Sequence, residues 1–155
     1  AMTIRRIEGG IFGNLTDIDT TITPFEAGLG YFVNMDKDFI GKDALMKKDK
    51  RTCLFGITCK TAVPKAGSKI KLNDKDVGYI TAGVPSPTLQ LGIGYVRFYE
   101  PNDYMNKEIE ILLPDNSSHI GVVVDLPFYD KEKRIVKGID RTIPTKPDNT
   151  FYDAK

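Results

Sequence analysis

Hydrophobic positions fall along this chain in two regimes. In the first, Ile4, Ile7 and Ile11 recur at helical spacing, but Gly9-Gly10 stops the pattern at once. Polar chain with Asp17, Asp19 and a Thr-rich stretch follows as far as Pro24. A segment of this kind does not read as a self-contained unit; it packs on something else. Gly30-Tyr-Phe-Val-Asn34 is a short strand candidate, and Asp36–Lys48 holds a helix that Gly41 would cap. Asp43 falls in its first turn and Lys47 and Lys48 in its last, an order that complements the helix dipole.

Beyond residue 50 the period changes to that of strands. Thr52–Cys59, Lys69–Leu72, Val77–Val84, Gly92–Phe98, Glu108–Leu113 and His119–Asp125 are the predicted strands. Asn73-Asp74-Lys75-Asp76 and Pro114-Asp115-Asn116-Ser117 are the turns that join neighbouring pairs. Six or seven short strands with one short helix predict a mostly β fold, an antiparallel barrel or sandwich. From residue 139 to residue 155 the chain is poor in large apolar residues and reads as an extended tail.

Composition narrows the function classes. The chain has 155 residues, 41% hydrophobic and 28% charged, and its 22 basic residues against 21 acidic ones leave a net charge of +1. Such a balance offers no broad field for nucleic acid or an anionic membrane. No apolar run approaches the roughly 20 residues that span a bilayer. Cys53 and Cys59 flank a strand segment that holds them roughly 20 Å apart, too far for a disulfide within it. Two reduced, partly buried thiols suit the cytoplasm. Ala1 before Met2 reads as a residue left by tag removal.

Candidate chemistry is sparse. His119 is the only histidine and reads as a surface residue at the start of a strand. The His and Cys count is too low for a zinc site, and Asp36, Asp38 and Asp43 lack the spacing of a calcium loop. Gly92-Ile-Gly94 precedes a strand rather than opening a helix, so it is no dinucleotide fingerprint. No catalytic residue and no metal ligand is assigned.

Several blocks taken together resemble a known family. Arg5-Arg-Ile-Glu-Gly-Gly10, Thr21–Leu29, Asp36–Lys42, Val77–Gly83 leading into Ser86-Pro-Thr88, Gly92–Val96 and Leu126-Pro-Phe-Tyr129 occur in the order found in the glycine cleavage T-protein family. That family comprises tetrahydrofolate-dependent aminomethyl and methyl transferases. The resemblance covers about residues 4–138, and the front block is closer to members that demethylate small metabolites. It implies that residues 1–38 are the end of a second folate-binding α/β domain. Residues 39–138 would then be a C-terminal barrel of jelly-roll type. The catalytic aspartate and a folate-contacting glutamate would lie upstream of this chain. Glu8 matches the family's Arg-x-Glu glutamate near the folate cleft; an ion pair with Arg5 or Arg6 is the competing role. Arg134 looks like the C-terminal arginine that approaches the cofactor, with solvated charge as its alternative, and Phe128 and Tyr129 complete the rim. The family arginine and tyrosine expected at positions 2 and 11 are replaced by Met2 and Ile11.

The implied cofactor is tetrahydrofolate in the complete enzyme, bound weakly or not at all by this chain alone. The implied partners are N-terminal folate-binding domains or a second copy, with a lipoyl carrier protein or a small methylated metabolite as donor. A stand-alone barrel acting as an interaction module is the alternative. It would expose Ile4, Ile7, Ile11, Phe12 and Phe25.

Overall fold

The computed structural model describes residues 2–142, so the tail expected over 139–155 lies outside the described residues from 143 onward. Among these residues, helix α1 (Met2–Glu8) is followed by a 3-10 turn (Gly30–Phe32) and helix α2 (Lys42–Met46). Six strands come next: β1 (Leu54–Cys59), β2 (Lys69–Leu72), β3 (Lys75–Ser86), β4 (Leu91–Phe98), β5 (Glu108–Leu112) and β6 (Ser118–Val124). All pairings are antiparallel, and the strands close in the order β1-β4-β3-β2-β5-β6. The seam is β1 against β6, with Ile57 opposite Val123. A closed barrel of this kind is what the strand pattern predicts as one of two options.

Alternation explains the closure. Phe55, Ile57 and Cys59 of β1 join Ile70, Ile80, Val96, Phe98, Ile109, Ile111 and Val123 in one core that fills the barrel. Leu54, Ile93 and Tyr95 point the other way and form a second core with Ile7 and Ala27, flanked by Phe12, Leu126 and Phe128. Strand β4 is therefore apolar on both faces, because the front of the chain lies across its outside. Residues 62–64 cross the opposite, inner face, with Ala62 packed against the core that fills the barrel. A methyl group at Gly83 or Gly92 would strike the Pro64 or Ala62 carbonyl. The glycines beside Ile93 are thus packing devices.

Four expectations change. Where a strand was expected over 30–34, Gly30–Phe32 form a 3-10 turn, closed by Phe32 N–H to Leu29 O and Val33 N–H to Gly30 O. Aromatic and β-branched residues favour strands only where a partner strand is available, and none runs alongside here. The helix after Gly41 is a single turn, with Lys47 at its C-cap instead of inside it. Asn73 and Asp74 both take positive φ, 52° and 62°, so the hairpin turn has two residues and Lys75 and Asp76 already belong to β3. Ile7 is fully buried and Phe12 half-buried, because the front segment packs on this chain's own barrel. Of the five positions expected to be exposed, only Ile11 is. Both thiols are free and buried.

Candidate functional site

The end of α1 meets the barrel through a chain of buried polar contacts. Arg6 Nη1 lies 2.6 Å from Asp17 Oδ2, and Asp17 is 0% exposed. The same carboxylate accepts from Gly13 N–H at 2.7 Å and from the Thr81 hydroxyl of β3 at 2.6 Å. A buried carboxylate needs such saturation, since an unpaired one costs several kcal/mol. Tyr95 of β4 brings its hydroxyl within 3.1 Å of Ile11 O and 3.3 Å of Arg6 O and Ile7 O, the carbonyls that end α1. Burial pushes the Tyr95 phenol well above its ordinary range, with Arg6 opposing the rise and Asp17 adding to it.

Glu8 sits at the last position of α1, 9% exposed. The Ser86 hydroxyl at the end of β3 donates to its Oε1 at 2.5 Å and accepts from Leu89 N–H. Its backbone carbonyl accepts from Tyr129 N–H at 3.2 Å. The ion pair considered for Glu8 is absent among the described residues: Arg6 is spent on Asp17, and the hydroxyl of Ser86 takes the place of an arginine. Phe128 stacks on Tyr95 at 6.2 Å between centroids. Gly56 makes room for it, since a Cβ there would sit 2.9 Å from the Phe128 ring. The structure thus brings Glu8, Phe128 and Tyr129 to one junction.

Arg134 does not join them. It lies on a separate turn that Asp130 caps by accepting from Arg134 N–H at 2.6 Å and Ile135 N–H at 3.0 Å. Among the described residues its guanidinium forms one ion pair, with Glu132 at 3.7 Å, both side chains being exposed. Beside the Glu8 junction lies a hollow of about 430 Å³, whose lining includes Gly10, Phe12, Phe32, Leu126 and Lys133. Glu8 does not line it. The wall is mainly apolar, with Asp125 and Lys133 as its charged members.

Sequence reasoning missed Asp17 and Ser86, whose partners lie far along the chain. It also placed His119 on the surface. The ring is half-buried, with Nδ1 2.9 Å from Thr61 Oγ1 and Nε2 3.2 Å from Ser117 Oγ. Among the described residues no group of three or more His, Cys, Asp or Glu is arranged to hold a metal ion, and no helix is long and apolar enough to cross a membrane.

Residues 50–130 match the family model described as the glycine cleavage T-protein C-terminal barrel domain. The aminomethyltransferase of Caldanaerobacter subterraneus subsp. tengcongensis is 36% identical over 133 residues, covering 81% of this chain and 35% of that protein. A probable aminomethyltransferase of Pyrococcus furiosus is 37% identical over 142 residues, covering 83% of this chain and 35% of its own length. The crystal structure of the glycine cleavage system aminomethyltransferase T from Bartonella henselae superposes with a TM-score of 0.67 at 25% identity. It covers 83% of this chain and 38% of that one. The chain therefore spans about a third of the length of the curated relatives it matches.

Proposed function

This chain belongs to the glycine cleavage T-protein family, through that family's C-terminal barrel domain, and we propose that it forms the barrel end of a tetrahydrofolate-dependent one-carbon transferase. The observation that carries the reading is the junction of Glu8, Phe128 and Tyr129 beside the apolar hollow. In this reading residues 1–38 complete a folate-binding domain and residues 39–138 are the barrel. The hollow and the junction form one wall of the cofactor pocket, and Lys133 and Arg134 face the anionic tail. Tetrahydrofolate supplies the nitrogen that accepts the carbon unit. The residues here hold and orient it, while the group that moves the proton lies elsewhere in the enzyme. The donor is an aminomethyl-lipoyl carrier or a small methylated compound.

Calorimetric titration of tetrahydrofolate into this chain tests the division of labour. One or two exposed ion pairs contribute about 0–1 kcal/mol each, so the dissociation constant is no tighter than roughly millimolar. No transferase activity is expected from the same sample. A micromolar constant abolished by Arg134→Ala would show a competent pocket within this chain and overturn the reading.

A second reading, a barrel that acts by binding another protein, has its own support. Tyr31 is 95% exposed and Phe32 80%, and the two rings pack edge to face at 5.6 Å. Ile40 and Met46 are also exposed nearby in sequence. Large aromatics left in water commonly mark a contact surface.

A further inference from the structure

A second hollow, of about 220 Å³, lies on the other side of the front segment, where residues 21–26 meet Cys53 and the ends of β3 and β4. It has room for several waters, each occupying about 30 Å³ in the liquid. Its position is fixed by local structure. Thr23 and Glu26 bond reciprocally, Thr23 N–H to Glu26 Oε2 at 2.8 Å and Glu26 N–H to Thr23 Oγ1 at 3.2 Å, the capping-box arrangement around Pro24. Glu26 O then accepts from Cys53 N–H at 2.8 Å and ties the segment to the start of β1.

Two opposite charges line this hollow, Arg97 and Glu26, yet among the described residues they form no ion pair with each other. Arg97 is only 14% exposed. It uses Nη1 toward Asp19 at 3.3 Å and Nη2 toward Thr21 Oγ1 at 2.7 Å. A guanidinium has five N–H groups, so three remain. Glu26 accepts one hydrogen bond where a carboxylate has about four lone-pair sites. Burial pushes the Cys53 thiol up to about 11, Glu26 adds to the rise and Arg97 opposes it. Glu26, Cys53 and Arg97 line the hollow together. Tyr79 and Tyr99 stand at its lip, ring centroids 6.2 Å apart, and their hydroxyls make no hydrogen bond among the described residues.

We propose that this hollow is a binding site for a small zwitterion of the α-amino-acid class. Its carboxylate meets Arg97 and its ammonium meets Glu26. Opposite charges held apart across a confined space, each with unspent valence, are completed by a molecule carrying the complementary pair at short separation. An anion alone would leave Glu26 unanswered, and a cation alone would leave unused the Arg97 N–H groups not turned to Asp19 and Thr21. The site is separate from the Glu8 junction and stands independently of the reading given there.

The test is a heteronuclear NMR titration of the full chain with L-alanine, propionate and ethylammonium, the last two each lacking one of its charges. L-Alanine is expected to give saturable shifts at the Thr21, Glu26, Cys53 and Arg97 amides, with propionate and ethylammonium about tenfold weaker or more. Glu26→Gln and Arg97→Gln should each weaken L-alanine by about tenfold with signal dispersion retained. If Arg97→Gln does not fold, Glu26→Gln and the comparison of the three probes decide. The proposal falls if no saturable shift appears by roughly 50 mM, which would mean the hollow holds only solvent. Equal shifts from all three probes, or an unchanged response in the folded variants, would sink it as well.

Discussion

Tyr95 has one hydroxyl proton and three carbonyls around it, so it holds the end of α1 by position as much as by any single bond. Tyr95→Phe removes the hydroxyl without removing the ring that stacks on Phe128, and is expected to lower stability by about 1 kcal/mol. Urea unfolding should show the midpoint shift with the slope unchanged. The same burial gives a pH dependence. The folded chain keeps Tyr95 protonated above its ordinary value of 10.0, and Cys53 protonated up to about 11 against an ordinary 9.0. A group whose folded value is raised contributes stability that is complete below its unfolded value and lost as pH rises toward the folded one. Stability should thus be full below pH 9 and decline from pH 9 to 11, through the Cys53 interval, with Tyr95 adding from 10 upward. Equal urea midpoints at both ends of that window would show that neither group is desolvated.

At the scale of elements, the most vulnerable contact is the one tying α1 to the loop and to β3. Arg6→Ala leaves the Asp17 carboxylate buried without its cation and should cost about 3 kcal/mol. Ser86→Ala removes one hydrogen bond to Glu8 and should cost nearer 1 kcal/mol. Thermal unfolding of the two variants would rank them, and the reverse order would mean that water reaches Asp17. Gly83→Ala forces the 62–64 crossing off β3 and should abolish soluble folded protein, read by circular dichroism. These contacts also mark the limit of what the sequence made legible. The strands showed in their alternation, and Glu8 showed as a residue with a role. Its partner did not, since Ser86 lies 78 positions away and Asp17 and Thr81 are 64 apart, distances that leave no local pattern. The capping pair of Thr23 and Glu26, only three positions apart, is local but was not among the expectations.

For the whole molecule, the exposed rings of Tyr31 and Phe32 raise the question of self-association. Light scattering over a concentration series should show mass rising with concentration if those rings are covered by a second copy. A constant monomer mass would mean that these two rings are tolerated in water. The barrel class was readable because turns punctuate the strands, whereas closure was not, since nothing in β1 announces that both its neighbours come later. That order has a consequence for how the molecule is made. β1 finds one neighbour in β4 and the other in β6, the last strand of the ring. During synthesis, β1 stays half-partnered until residues 118–124 emerge, and β6 then acts as a keystone that removes two open edges at once. Intermediates ending before that strand present β1 and β5 as bare edges to any neighbouring chain. Folding of the released chain should be slow, in the millisecond-to-second range typical of barrels built from distant pairings.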